Sequence, residues 1–227
     1  MIPLLFGPPG CGKGTQSVFL AEKFAIPAIS TGEMFRAECQ AGTELGRTVC
    51  SILSAGAFVS DEIVNQVVAS RIAKADCTRG FLLDGYPRTV PQAQVFAAML
   101  RERGLSEPVV VQLDVADSVL VERLAARRQC PSCKRIFNLI SQPPKVAGKC
   151  DGDGEDLVTR EDDREEVIRQ RLETYKAQTG PILQFYGSGM VHTVDGAAAP
   201  ERVAQLIHEI VAPLWNDKTS QAVAPRN

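Results

Sequence analysis

The sequence predicts an α/β fold, a five-stranded parallel sheet flanked by helices. Two patterns carry that expectation. Short apolar runs at residues 2–6, 27–29, 80–84, 109–113 and 191–194 alternate with longer segments of helical period. The first run leads directly into Gly7-Pro8-Pro9-Gly10-Cys11-Gly12-Lys13-Gly14-Thr15-Gln16, a glycine-rich turn that opens a helix. Open parallel sheets bind ligands beyond the carboxyl ends of their strands. The turn, the residues after Ile29, and Asp84 therefore converge on one cleft.

The glycine-rich turn has a direct chemical reading. Its glycines let backbone N–H groups point inward together, and the helix N-terminus adds positive potential, so the turn is a phosphate nest. Lys13 follows as a mobile charge for the outer phosphates. The spacing fits G-x-x-x-x-G-K, but Gly14 takes the position that usually carries a hydroxyl, and Thr15 comes next. Cys11 lies inside the nest, where a helix N-terminus favours a thiolate. The alternative for Cys11 is an inert spacer that contributes its N–H alone.

The elements follow in order. A helix is expected over 13–24, with Val18, Leu20 and Ala21 among its apolar positions. Ser30 and Glu33 form a capping box for the next helix, and Gly42, Gly46 and Gly56 punctuate the chain up to Val59. Ser60-Asp61-Glu62 restarts a helix with Ile63, Val64, Val67, Val68 and Ile72 on one side. Thr89 and Gln92 make a second capping box, with Pro91 early in that helix and Gly104 ending it. A helix is expected from Asp117 through Arg127, then an irregular stretch to Thr159. A charged helix over 163–178 should stop at Gly180-Pro181, and the last helix should span 200–211. From Asn216 the residues are polar and aperiodic, which predicts a mobile tail.

Composition bounds the function. The 227 residues are 44% hydrophobic with net charge −2, so nucleic acid is not the expected partner. The apolar start is far too short to span a bilayer. Seven cysteines, an odd number, do not read as a disulfide framework and fit the cytoplasm. Three of them belong to a metal-ligand pattern: Cys130-Pro131-Ser132-Cys133, then Cys150-Asp151-Gly152-Asp153, with sixteen residues between the pairs. This is a zinc-ribbon spacing with Asp153 in place of a fourth cysteine. Four protein ligands leave no open position, so the zinc is expected to be structural.

The phosphate loop, together with Ser30-Thr31-Gly32-Glu33-Met34-Phe35-Arg36, Phe81-Leu82-Leu83-Asp84-Gly85-Tyr86-Pro87-Arg88-Thr89 and the stretch from Arg123 to Arg171, resembles the adenylate kinases and other nucleoside-monophosphate kinases. The resemblance runs in order from about Ile2 to Val211. It implies a P-loop kinase of the long type: a core of residues 1–29, 60–126 and 164–215, a small helical monophosphate-binding insertion over 30–59, a zinc-ribbon-like lid over 127–163, and a tail over 216–227. It implies phosphoryl transfer from ATP to AMP with Mg²⁺, giving two ADP, by a monomer.

The resemblance also assigns roles. Lys13, Arg88, Arg123, Arg127, Arg160, Arg171 and Asp84 are the expected catalytic set, with Asp84 orienting Mg²⁺-bound water beside Thr15. A structural Asp84 capping the next residues is the alternative. Gly10, Cys11, Gly12, Lys13, Gly14, Thr15, Arg127, Ile136, Phe137 and Ala198 are expected against ATP, although Ile136 and Phe137 also suit plain hairpin packing. Thr31, Arg36, Ala57, Phe58, Val59, Gly85, Tyr86, Pro87, Arg88, Gln92, Arg160 and Arg171 are expected against AMP, with Gln92 reading the base. Arg128 and Arg169 match nothing in the family and read as solvated. Asp162 and Asp163 are expected to cap the following helix and help lock the lid. Two other functions stay open at this point: a kinase for UMP, CMP or GMP, and a non-catalytic nucleotide switch.

Overall fold

The structure, a computed structural model, describes residues 2–41, 44–55, 57–187 and 189–221. Gly42, Gly56 and the tail beyond Gln221 lie outside the described residues. In chain order, β1 (Pro3–Phe6), α1 (Lys13–Phe24) and β2 (Ala28–Ser30) precede α2 (Thr31–Ala41), α3 (Glu44–Ser54) and α4 (Asp61–Ile72). Then come β3 (Leu82–Asp84), α5 (Val90–Glu102), β4 (Val109–Asp114), α6 (Asp117–Ala125), β5 (Arg127–Gln129) and β6 (Ile136–Asn138). The chain closes with α7 (Glu165–Thr174), α8 (Gly180–Tyr186), β7 (Val191–Asp195) and α9 (Pro200–Gln221).

Five strands form one parallel sheet in the order β2–β3–β1–β4–β7, as the alternating pattern predicts. Pro27 has no N–H to give a ladder, so β2 begins one residue later, while the Pro27 carbonyl still accepts from Leu82 N at 2.9 Å. Side chains alternate across the sheet and build two cores. Leu4 and Phe6 join Ile29, Leu83 and Val110 against Val68, Phe96 and Ile182 on one face. Leu5 joins Leu82, Val111 and Leu113 against Leu20, Leu124, Leu172 and Ile207 on the other. Each fully buried large side chain contributes about 1.5–3 kcal/mol, so the sheet is a rigid base for the loops at its carboxyl end.

Several boundaries differ from the sequence expectation. The helix expected to reach Arg127 ends at Ala125, because Arg127 pairs with Asn138 in the antiparallel β5–β6 hairpin. Gly180-Pro181 does not stop the charged helix. A widened π turn over Tyr175–Thr179 follows α7, and α8 starts with Pro181 in its first turn, where its lacking N–H costs no helical bond. Val18 is 57% exposed, while Gln16 and Ser17 of α1 are buried; Gln16 donates to Pro200 O at 3.0 Å. The last helix runs through Asn216 to Gln221, since Trp215 packs on Phe24 at 4.9 Å and anchors the turn from which it propagates. Cys39 on α2 and Cys50 on α3 are paired, with Cα atoms 5.5 Å apart, because the helical hairpin sets them side by side. The odd cysteine count had not announced that bond.

Each expected capping box is half made. Ser30 Oγ accepts from Glu33 N at 3.4 Å, and Thr89 Oγ1 from Gln92 N at 3.2 Å. The carboxylate of Glu33 and the carboxamide of Gln92 go elsewhere, into the cleft wall. Among the described residues, no helix is long and apolar enough to cross a membrane.

Candidate active site

The phosphate loop leaves β1 at Phe6 and enters α1 at Lys13. Gly10 has φ +85°, and a Cβ there would lie 2.9 Å from Leu124 Cγ, so the loop folds this tightly against α6 only with glycine. Lys13 Nζ donates to the carbonyls of Gly7 (2.6 Å) and Pro8 (3.1 Å), which places its charge over the mouth of the nest. Cys11 is 2% exposed with its Sγ 3.6 Å from Lys13 Nζ. Burial raises its thiol pKa more than the neighbouring ammonium lowers it. Of the two readings of Cys11, its burial favours the inert spacer over the thiolate.

A cleft of about 800 Å³ opens above the sheet. It is lined by the loop from Gly10 to Thr15, Asp84 and the residues after it through Arg88, Arg36 from α2, Ala57 and Phe58, Ile136 and Phe137 from the lid hairpin, and Ala198 after β7. Arg123, Arg127, Arg160 and Arg171 also face it. Ile136 is 38% exposed, whereas Phe137 is mostly packed in the lid core with Cys130 and Cys150. Thr31, Val59 and Gln92 are not in the lining. They are buried just behind it. Thr31 donates to Gly85 O at 2.9 Å. Gln92 accepts from Arg88 N and donates to Asp61, both at 2.7 Å, so its carboxamide braces the Arg88 segment.

The cleft arginines are held in different ways. Glu33 takes Arg36 at 2.5 Å and Arg160 at 3.0 Å, tying the α2–α3 insertion to the lid. Burial raises the Glu33 pKa, but Arg36 and then Arg160 outweigh it and hold it below the usual range. Arg127 makes a two-pronged bond to buried Asp163, which also takes Arg171 at 3.0 Å. Arg171 pairs with Asp162 as well, at 3.0 Å. Arg123 donates to the carbonyls of Gly196 (2.7 Å) and Ala197 (3.1 Å). Burial lowers the pKa of Arg171, and brings Arg88 and Arg160 to about 10, so all three stay charged at neutral pH. Arg88 has no carboxylate within ion-pair distance among the described residues; its Nε donates to Gly85 O at 2.8 Å.

Arg128 bonds to the carbonyls of Ala125 and Arg127, and Arg169 makes an exposed pair with Glu165; neither lines the cleft. Sequence reasoning missed Glu33 as a bridge and Asp61 as the anchor of Thr89 and Gln92. The three-residue spacing of Glu33 and Arg36 on a helix was the available signal for the first. Asp61 lies 28 and 31 residues from its partners, and nothing local reports it.

In the lid, Cys130, Cys133, Cys150 and Asp153 bring four ligand atoms within 4.8 Å of one another. Cys133 Sγ lies 3.5 Å from Cys150 Sγ, and Cys130 Sγ lies 3.2 Å from Asp153 Oδ2. A tetrahedral zinc with bonds of about 2.3 Å to sulfur has edges of roughly 3.8 Å, so this donor set fits the ion after a slight expansion. Asp151 instead accepts from Lys145 N at 2.8 Å, outside the cluster.

Comparison with known proteins gives one answer. The family model described as adenylate kinase matches residues 5–191. An adenylate kinase from Anaeromyxobacter sp. is 42% identical over 213 residues, covering 93% of this chain and all of the relative. An adenylate kinase from Symbiobacterium thermophilum is 46% identical over 209 residues, covering 92% of this chain and 97% of the relative.

Proposed function

The chain belongs to the adenylate kinase family, and from that premise we propose how its cleft carries out the reaction. The enzyme transfers a phosphoryl group reversibly from ATP to AMP, giving two ADP, and so balances the adenine nucleotides. An oxygen of the AMP phosphate attacks the γ-phosphorus of ATP, and the bond from that phosphorus to the β–γ bridging oxygen breaks in line. Charge spreads over the moving group, so placed cations and N–H donors supply the catalysis.

In this reading the N–H groups from Gly10 to Thr15 hold the donor phosphates, and Lys13 swings from the loop carbonyls onto them. Ile136 and Ala198 flank the donor. Arg88 and Arg36 take the acceptor phosphate, between residues 57–59 and 85–87. Arg123, Arg127, Arg160 and Arg171 surround the moving group. Adenylate kinases use Mg²⁺ with ATP, and the metal neutralises phosphate charge. Asp84 and Thr15 both line the cleft, and their oxygens would orient the metal's hydration water. Glu33–Arg160 and Lys134–Gln40, each at 3.0 Å, join lid and insertion across the cleft and support a closed state that excludes water. A zinc held by Cys130, Cys133, Cys150 and Asp153 would fasten the lid and supply no chemistry to the transfer.

The observation that carries this reading is the meeting of Lys13 and Arg88, from the ends of two adjacent strands, in one cleft lined by further arginines. One chain supplies every wall of that cleft, which supports a monomer. The test is a coupled assay of ATP with AMP, UMP, CMP or GMP. AMP is expected to be the best acceptor by a wide margin, and equal rates with another monophosphate would reassign the acceptor.

A further inference from the structure

Arg88 differs from the other cleft arginines in what holds it. Glu33, Asp162 and Asp163 pair with Arg36, Arg127, Arg160 and Arg171, and two carbonyls hold Arg123. Arg88 is half-buried, and among the described residues its side chain has one hydrogen-bond acceptor, Gly85 O at 2.8 Å. Its central carbon lies 4.9 Å from the ring centre of Phe58. An aromatic face attracts a cation through its quadrupole without neutralising it and without occupying its N–H groups.

The geometry around this contact is fixed from both sides. Gly85 has φ +79°, and a Cβ there would lie 2.8 Å from Arg88 Nη2, so the guanidinium lies against bare backbone. Phe58 follows α3, in a loop tied by Ala57 N to Ile52 O at 3.1 Å and by buried Val59. One contact takes the Nε–H, and the other sets the face of the Phe58 ring against the central carbon. Together they hold the guanidinium from two sides and leave its remaining N–H groups for a ligand. A carboxylate in the place of Phe58 would hold the arginine equally well but cancel the charge that the phosphates need.

We propose that Phe58 is a positioning residue: its ring holds the Arg88 guanidinium in the plane that meets the acceptor phosphate. This goes beyond a wall of the AMP pocket, a role that any apolar side chain fills. It rests on the reading of Arg88 given under Proposed function.

The experiment measures initial rates over AMP and ATP concentrations for Phe58→Leu, Phe58→Tyr, Arg88→Ala and the double variant Arg88→Ala/Phe58→Leu, with a melting curve for each. Phe58→Met replaces Phe58→Leu should that variant melt below the assay temperature. Phe58→Leu is expected to lower kcat/KM for AMP roughly 3- to 30-fold, the range that a cation–π contact supplies, while the KM for ATP stays unchanged. Phe58→Tyr keeps the ring and is expected within about twofold of the parent enzyme on the same ground. In the Arg88→Ala background, Phe58→Leu should cost nothing further, because its partner is already gone. Parental rates for Phe58→Leu, an equal loss in folded Phe58→Tyr, or an undiminished loss in the Arg88→Ala background would each overturn the proposal. Parental rates for Arg88→Ala would remove the Arg88 reading and the proposal together, whereas a disabled Arg88→Ala beside an unimpaired Phe58→Leu would remove the proposal alone.

Discussion

Among the described residues, Lys13 is bonded only to the loop it serves. Its partners there are Gly7 O, Pro8 O and Cys11 Sγ, so no distant described element depends on it. Lys13→Ala is therefore expected to lose nearly all turnover with little change in melting temperature, read by rate assay and thermal denaturation; near-parental turnover would contradict its role. Cys11 makes the opposite case. Its position in sequence suggested a reactive thiolate, but it is 2% exposed and its pKa is raised by burial. Alkylation of the native protein, mapped by mass spectrometry, is expected to leave Cys11 unmodified long after exposed Cys133 of the metal-free protein has reacted. The two residues show where sequence reading stops. The nest is a local pattern of glycines and a lysine, legible within ten residues. The burial of Cys11 comes from the chain packed over it, which no local pattern records. Glu33 is the same kind of miss, since its partner Arg160 lies 127 residues away.

At the scale of elements, the five strands were legible because continuous apolar runs between helical segments leave few other choices. The π turn after α7 was not, because Gly180-Pro181 reads locally as a stop, and only packing on both sides of the turn carries the chain through it. The cluster of Cys130, Cys133, Cys150 and Asp153 was legible from its spacing. The lid's apolar core consists of Cys130, Phe137 and Cys150 with Leu157 beside them, too little to hold a fold without the metal. Asp153→Ala is expected to lower zinc content and the temperature at which the lid unfolds, with turnover at low temperature largely kept. Asp151→Ala should do neither. Zinc measured by atomic absorption decides this, and full retention in Asp153→Ala would overturn the assignment. The tie between lid and insertion carries a pH signature. The pKa values of Glu33 and Asp162 are lowered in the folded protein, burial being outweighed by Arg36 and Arg160 for the first and most of all by Arg171 for the second. Their contribution is thus fully present above the unfolded values, about 4.3 and 3.9, and is lost as the pH falls through the lower folded ones. Fluorescence energy transfer between labels on lid and insertion should report opening below about pH 4, and Glu33→Gln should weaken that step.

Across the whole molecule, the sheet brings distant segments to one edge, and on this convergence the catalysis depends. The strand-end rule places the phosphate loop, the residues after β2 and Asp84 together from the sequence alone. It did not say which arginines would be neutralised by carboxylates and which would keep their charge, because that depends on acids brought in by the lid and insertion. Arg88, half-buried in the cleft with no carboxylate partner among the described residues, and Arg128, bonded to carbonyls outside it, carry the same charge in different places. The most direct measurement is the rate of ADP formation from ATP and AMP in Arg88→Ala and Arg128→Ala, each confirmed folded by its melting curve. Arg88→Ala is expected to lose about 10³-fold or more, on the scale of other arginines that stabilise phosphoryl transfer, and Arg128→Ala to keep a rate near that of the parent. Similar losses in both would show that general positive charge, not its placement in the cleft, supports the reaction.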